Sequence, residues 1–285
     1  MRRVLVTGAL GNTGREVVRE CLAAGFTVRA AGLDEARLRQ AFPDAEPVRF
    51  DFRDRGTWSA ALAGCDYVYL LRPPRIADME NTLNPFADAA YSAGVQHIVF
   101  LSVMGADRMK WVPHRKVESH LASRGDRWTV LRPGFFAQNL QDAYREDIVE
   151  DRRLIVPAGE GRVAFLDVRD AAAVCARVLS EPGPYRGQAL TLTGPAAITF
   201  HEAAAALSET LGFEVRYEPA SIAGYMLHLS RRRRMPWMQI IIQTVLHVGL
   251  RRGDAEQVDP TVRRLLGHEG RTLREYVKDS AAVWR

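Results

Sequence analysis

Residues Val4–Gly14, VLVTGALGNTG, join an apolar β-branched run to a turn punctuated by glycine. Gly8, Gly11 and Gly14 fall three residues apart, directly after the run and at the opening of NTGREVVRECLAAG. In that second stretch Val17, Val18, Cys21 and Leu22 repeat at helical spacing, and Gly25 supplies a stop. The pattern is therefore strand, glycine turn, helix. Without side chains, Gly8 permits a tight turn, Gly11 lets main chain approach a pyrophosphate, and Gly14 lets the helix pack closely. Main chain around Leu10, Gly11, Asn12 and Thr13 would then present amides, at the positive end of the helix, to phosphate. The competing reading is a β-to-α turn that holds no ligand.

Outward from this turn the same alternation continues. FTVRAAG, EPVRFDF, CDYVYLL, QHIVFLSV and WTVLRPG read as strands, with helices fitting at Asp34–Ala41, Arg55–Ala63, Asn81–Ala93 and Pro113–Ser123. Strands joined by helical crossovers make a parallel sheet, so the expected fold is α/β, a doubly wound Rossmann sheet over residues 1–150. From Asp147 the rhythm loosens. RLIVPAG and QALTLTG look like short strands, and VRDAAAVCARVLSE and TFHEAAAALSETLG look like helices. Residues 151–285 are expected to form a smaller substrate-binding region that returns some strands and helices to the core. Ser221–Gly249 is strongly apolar, and its nearly uncharged run, Met235–Leu250, is short for a membrane span. A pocket wall or a homodimer interface suits it better.

Composition excludes several classes. With 47% hydrophobic and 26% charged residues the chain is globular, neither disordered nor fibrous. The formal charge of +5 is local, because residues 228–252 carry six arginines and no acidic residue. SRRRRMP reads as a solvated helix end or as a site for an anionic ligand, lipid surface or partner. Neither zinc-finger spacing nor an aromatic RNA-recognition signature points to nucleic acid. Cys21, Cys65 and Cys175 are widely spaced among apolar neighbours, which favours buried free thiols over disulfides or a metal site. The first strand begins at Val4, leaving no room for a leader, so a cytoplasmic protein is expected.

Asp34 lies 20 residues after Gly14, where a carboxylate can accept from the adenosine ribose or simply cap the next helix. Leu33 occupies the strand tip where an acidic or basic residue would discriminate between NAD and NADP. Arg37 is placed to pair with a 2′-phosphate, which tilts the expectation toward NADP.

The glycine turn, DFRD at Asp51, FLSVMGAD, PHRKVESHL, WTVLRPGFFAQN, FLDVRD and ALTLTGP together resemble the NmrA-like group of atypical short-chain dehydrogenases/reductases. That group includes NAD(P)H-dependent quinone and triphenylmethane dye reductases as well as redox-sensing regulators. The resemblance implies that Asp51 and Phe52 flank the adenine and that Leu70, Leu71 and Arg72 line the nicotinamide side. It also implies that Pro133 and Phe135 turn toward the nicotinamide. From the residues themselves, Asp51 reads equally as a strand-end cap, and Leu70 and Leu71 as sheet core. Of the adjacent Phe135 and Phe136, one ring at most can face a ligand. Asp170 is expected to cap the helix AAAVCARVL, with Asp167 supporting the turn.

In many nucleotide-dependent reductases a helix at this point in the chain carries Tyr-x-x-x-Lys. Aligning ESHLASRGDRWTVLRP puts Lys110 at the tyrosine and His114 at the lysine, so the usual proton relay is missing. Lys110, a charged flexible ammonium, is a poor replacement for a phenol. His114 follows Pro113 at the start of a helix, from which an imidazole can polarise a substrate oxygen or supply a proton near neutral pH. It can equally order a loop without chemistry. Ser102, at the end of the fifth strand, either orients ligand or serves a turn. The expected activity is hydride transfer from NAD(P)H to a small, flat, conjugated acceptor such as a quinone or iminium, which needs no strong acid. The alternative is a dinucleotide-binding redox sensor without catalysis.

Overall fold

The computed structural model describes residues 2–109 and 111–284. Seven parallel strands form one sheet: β1 (Arg3–Thr7), β2 (Thr27–Gly32), β3 (Glu46–Arg49), β4 (Tyr67–Leu71), β5 (His97–Leu101), β6 (Trp128–Pro133) and β7 (Gln188–Leu192). Their order is β3-β2-β1-β4-β5-β6-β7, so the winding reverses between β1 and β4. In a doubly wound sheet that reversal opens a crevice at the carboxyl ends of the two strands. The expected α/β Rossmann fold is the one observed.

The helices between the strands are α1 (Asn12–Ala23), α2 (Glu35–Ala41), α3 (Trp58–Leu62), α4 (Leu83–Ser92), α5 (Pro113–Ser123) and α6 (Val168–Ser180). Arg55–Ala63 is a 3-10 turn, Arg55–Thr57, followed by the short α3, rather than one helix. Helix α6 begins two residues ahead of Asp170, which therefore stands in the first turn and is not the cap; a carboxylate still favours that position through the helix dipole.

By compactness the chain divides into two units. The first is Met1–Pro133, Val168–Leu192 and Thr261–Gly267; the second is Gly134–Asp167, Thr193–Pro260 and His268–Arg285. In the first unit Phe50, Phe52, Trp58 and Phe86 pack edge to face in the core, with ring centroids 4.7–5.5 Å apart. Phe86 has no exposed surface, and its truncation to Ala would cost about 3–5 kcal/mol. Cys21 and Cys175 are buried free thiols, as is Cys65, and burial pushes the Cys21 thiol up to about 12.

The second unit builds its own core around Tyr144, Phe165, Phe200 and Trp284. Its helix Phe200–Leu211 opens on a reciprocal capping box between Thr199 and Glu202 and ends at left-handed Gly212. The apolar stretch expected at Ser221–Gly249 is two helices, α7 (Ile222–Arg231) and α8 (Trp237–Arg251). The break has a local cause: Arg234 adopts a left-handed φ of 48° and Pro236 stands at the cap of α8. The basic run between them is partly neutralised, since Arg232 pairs with Glu150 and Asp151, and Arg233 with Glu146.

Candidate active site

The glycine turn closes β1 against the mouth of the sheet. Gly8 has a left-handed φ of 65°, and a Cβ there would stand 2.5 Å from Leu71 Cδ2. A Cβ on Gly14 would stand 2.2 Å from the carbonyl oxygen of Gly8, so the helix rests on the turn itself rather than on the sheet. Gly11 caps α1, its amide donating to Gly8 O at 2.9 Å. Thr7 Oγ1 donates to Tyr69 O and accepts from Leu71 N, which clamps β1 to β4 beside the turn. Helix α1 has no side-chain cap and no acidic residue in its first turn. The amides of Thr13 and Gly14 have no acceptor within the helix, while Gly11 and Asn12 are exposed and Leu10 and Thr13 half-buried. A pyrophosphate fits such a place: main chain can approach closely, amides without helical acceptors are available, and no acidic residue stands in the first turn.

Beyond β2, Leu33 is 71% exposed and Asp34 caps α2, accepting from Arg37 N at 3.1 Å. Of the two readings of Asp34, the cap is therefore occupied in this structure. The Arg37 side chain is exposed. Asp51 makes the strand-end turn, its Oδ1 accepting from Arg53 N at 2.9 Å and its carbonyl from Trp58 Nε1 at 3.0 Å. The Phe52 ring and the Leu70 side chain are buried in the core of the first unit. Leu71, half-buried, is the residue that packs over Gly8.

Beyond β4 and β5 lies a second construction. Arg72 is held by the carbonyls of Pro73, Pro74 and Ile76, and its Nε donates to His114 Nε2 at 3.2 Å. An arginine can only donate, so His114 must accept at Nε2 and carry its proton on Nδ1. His114 Nδ1 is itself buried with no hydrogen-bond partner among the described residues. Burial first, and the Arg72 cation second, lower the imidazole pKa to about 4. His114 is therefore neutral at physiological pH, with an N–H at Nδ1 rather than an imidazolium to offer. Lys110, at the place of the usual tyrosine, lies outside the described residues.

Ser102 is engaged within the first unit. Its hydroxyl donates to Glu118, which is 6% exposed and pairs with Arg132 at 2.7 Å; Arg132 also reaches Asp107 at 3.2 Å. From sequence, Glu118 is only the first residue of the aligned stretch ESHLASRGDRWTVLRP. Its position beside Val117 on the buried stripe of α5 was the available signal, because a lone buried carboxylate is too costly to go unpaired. Arg72 as the partner of His114 carried no such signal, since the pair spans 42 residues. Pro133 ends β6, its carbonyl accepting from Met104 N at 2.9 Å. In the second unit, Phe135 packs edge to face on Phe165 and Phe200.

A parallel sheet that reverses beside a glycine turn, with an uncapped helix end and no acidic residue in its first turn, defines a dinucleotide-binding protein of the Rossmann class. The chain belongs to the NmrA-like family, whose model matches residues 1–250. It is 32% identical over 288 residues to an NAD(P)H azoreductase of Xenophilus azovorans, covering 99% of each chain. The solved structure of an NADPH-dependent quinone oxidoreductase of Escherichia coli, complexed with NADPH, superposes with a TM-score of 0.85 at 26% identity, covering 98% of this chain and 99% of that one. A triphenylmethane reductase of Citrobacter sp., complexed with NADP(H), has the same fold, with a TM-score of 0.85 at 21% identity over 98% of this chain and 100% of the other.

Proposed function

We propose that this chain is an NAD(P)H-dependent oxidoreductase that delivers hydride to a flat, conjugated, electron-poor acceptor, with neutral His114 as hydrogen-bond donor and no protein acid. The single observation that carries the reading is the unpartnered, buried Nδ1 of His114, backed by the Arg72 guanidinium. The azoreductase and quinone oxidoreductase relatives support the acceptor class.

Each residue's part follows from its surroundings. Gly8, Gly11 and Gly14 leave room for diphosphate main-chain contacts, and Thr13 and Gly14 supply amides at the positive helix end. A reduced nicotinamide, when bound, supplies the hydride. Arg72 holds His114 in one tautomer, so that Nδ1–H points away from the guanidinium and is free to donate to an acceptor oxygen or nitrogen. As that atom gains negative charge, the donor strengthens its hold, and the Arg72 cation behind the ring adds to the stabilisation. An imidazole with a pKa near 4 already lacks the second proton at neutral pH, so the proton that completes reduction comes from water. A quinone or cationic acceptor tolerates this, whereas a simple ketone needs a stronger acid at its developing alkoxide. Arg37 favours the 2′-phosphate of NADPH.

The test is oxidation of NADPH and NADH with a panel of quinones, azo dyes, cationic dyes and cyclic imines, with a simple ketone as control. Turnover of the conjugated acceptors and none of the ketone is expected. Tight, unequal binding of oxidised and reduced dinucleotide without turnover of any acceptor would replace this reading with a redox sensor.

A further inference from the structure

We infer that the outward face of α7 and α8 is a docking surface for an anionic lipid bilayer, on which the protein lies rather than crosses. Helix α8 is built inside out. Trp237, Met238, Ile241, Ile242, Val245 and Leu246 are 36–65% exposed. At about 100° per residue they occupy one continuous half of the helix. The opposite, buried half sets Thr244 and His247 beside Ile240. A helix on the surface of a soluble domain has the reverse pattern, with polar side chains outward. Scattered exposed apolar residues require no explanation, but a contiguous face of this kind marks a contact surface. Helix α7 extends it with Ile222 and Leu227, each 48% exposed.

Charge decides the occupant. Residues 219–253 contain no aspartate or glutamate. Exposed arginines flank the face, Arg231 and Arg234 before α8 and Arg252 at its end, while Arg251 turns over Gly159. Arg232 and Arg233 turn back to Glu150, Asp151 and Glu146 and are neutralised there. A second copy laid along α8, parallel or antiparallel, would set cationic ends against cationic ends. An anionic bilayer accepts both features: the arginines meet headgroup phosphates, Trp237 sits at the interface, and the aliphatic residues enter the acyl boundary. With 15 residues α8 is too short to span, and among the described residues no helix is long and apolar enough to cross a membrane. The inference rests on this face alone and is independent of the hydride chemistry.

Co-sedimentation of the purified protein with phosphatidylcholine vesicles, with and without phosphatidylglycerol, tests it. Binding to the anionic vesicles is expected to be at least about tenfold tighter than to the neutral ones and to weaken with added salt. Ile242→Asp with Leu246→Asp should reduce it about tenfold or more, and Arg231→Glu with Arg234→Glu should erase the preference for anionic lipid. Dinucleotide affinity and the melting temperature report that these variants remain folded. Absence of vesicle binding by the parent protein overturns the inference. So does a concentration-dependent dimer that Ile242→Asp splits, or a raised KM for a water-soluble acceptor in that variant, when either occurs without vesicle binding.

Discussion

The glycine turn and the His114 corner lie at the carboxyl ends of strands in one sheet, yet they are made by opposite means. The turn is steric and local: within seven residues, Gly8 leaves no space for a Cβ against Leu71 and Gly14 none against the Gly8 carbonyl. The corner is electrostatic and long-range, an imidazole at the start of α5 whose charge is set by burial first and an arginine beyond β4 second, and whose tautomer is set by that arginine. Sterics tolerate no substitution but are indifferent to pH. Electrostatics tolerate graded change and respond to protons. The two regions should therefore fail differently.

The largest failure belongs to the turn. Gly14→Ala places a methyl group 2.2 Å from the Gly8 carbonyl, where nothing flexible can yield. We expect dinucleotide affinity, measured by calorimetry, to fall by about a hundredfold or more, with the far-UV spectrum of a folded sheet retained. A variant that still bound within threefold of the parent would show that phosphate is not held here, and would remove the ground for hydride chemistry altogether.

The corner should lose less. His114→Phe keeps a ring of similar shape beside Phe100, whose centroid lies 6.1 Å away, but deletes the donor. One hydrogen bond strengthened in the transition state is worth about tenfold to a hundredfold in kcat. Dinucleotide affinity should stay within a few-fold. Equal loss in kcat and in dinucleotide affinity would make His114 a binding residue and dissolve the contrast with the turn.

How much of this was legible follows the same division. The turn was readable because all its determinants fall within one short segment, and the pairing of strand and helix periods around it placed the sheet. The cap at Asp34 and the turn at Asp51 were readable as alternatives, because a short carboxylate serves neighbouring amides as readily as a ligand. Phe52 and Leu70 show the limit. Phe52 stands in the turn beyond β3 and Leu70 on β4; the sequence shows each as apolar, but their burial in one core comes from tertiary packing, for Phe52 against the rings of Phe50 and Phe86. The pKa of His114 was beyond reach for a related reason. An isolated imidazole titrates near about 6.5, and only burial and Arg72, brought in across 42 residues, lower it.

Acid tests that electrostatic account next. The folded pKa of His114 is lowered to about 4, so as pH falls below the unfolded value of about 6.5 the unfolded chain takes up the proton first. Stability is lost progressively across that window and the loss is complete below the folded pKa. At pH of about 5 a single such histidine costs on the order of 1–2 kcal/mol. His97 and His247, both buried and both lowered to about 4, act in the same direction. The parent should therefore melt lower at acid pH, and His114→Phe should lose less between neutral pH and this acid pH than the parent does. Parallel curves for the two proteins would mean that His114 titrates normally. Below neutrality the activity of the still-folded enzyme should stay flat rather than fall with a midpoint near that of a free imidazole.

The smallest effect is expected at the rim of the turn, where the steric and electrostatic modes meet. Leu33 is 71% exposed and carries no carboxylate to receive ribose hydroxyls or repel a 2′-phosphate. The Arg37 amide is fixed by Asp34, while its guanidinium remains on the surface. A surface cation facing a phosphate is worth roughly 1 kcal/mol and is screened by salt. Arg37→Ala should accordingly weaken NADPH binding by about three- to tenfold at low ionic strength, with the difference shrinking as salt is added, and leave NADH within about twofold. Leu33→Asp should act on the same preference from the other side, weakening NADPH through repulsion while offering NADH a hydrogen-bond acceptor. Titrating both dinucleotides against both variants separates the outcomes, because a change of equal size for NADPH and NADH would locate Arg37 at the diphosphate or outside the site, and the preference for the phosphorylated cofactor would then need another cation.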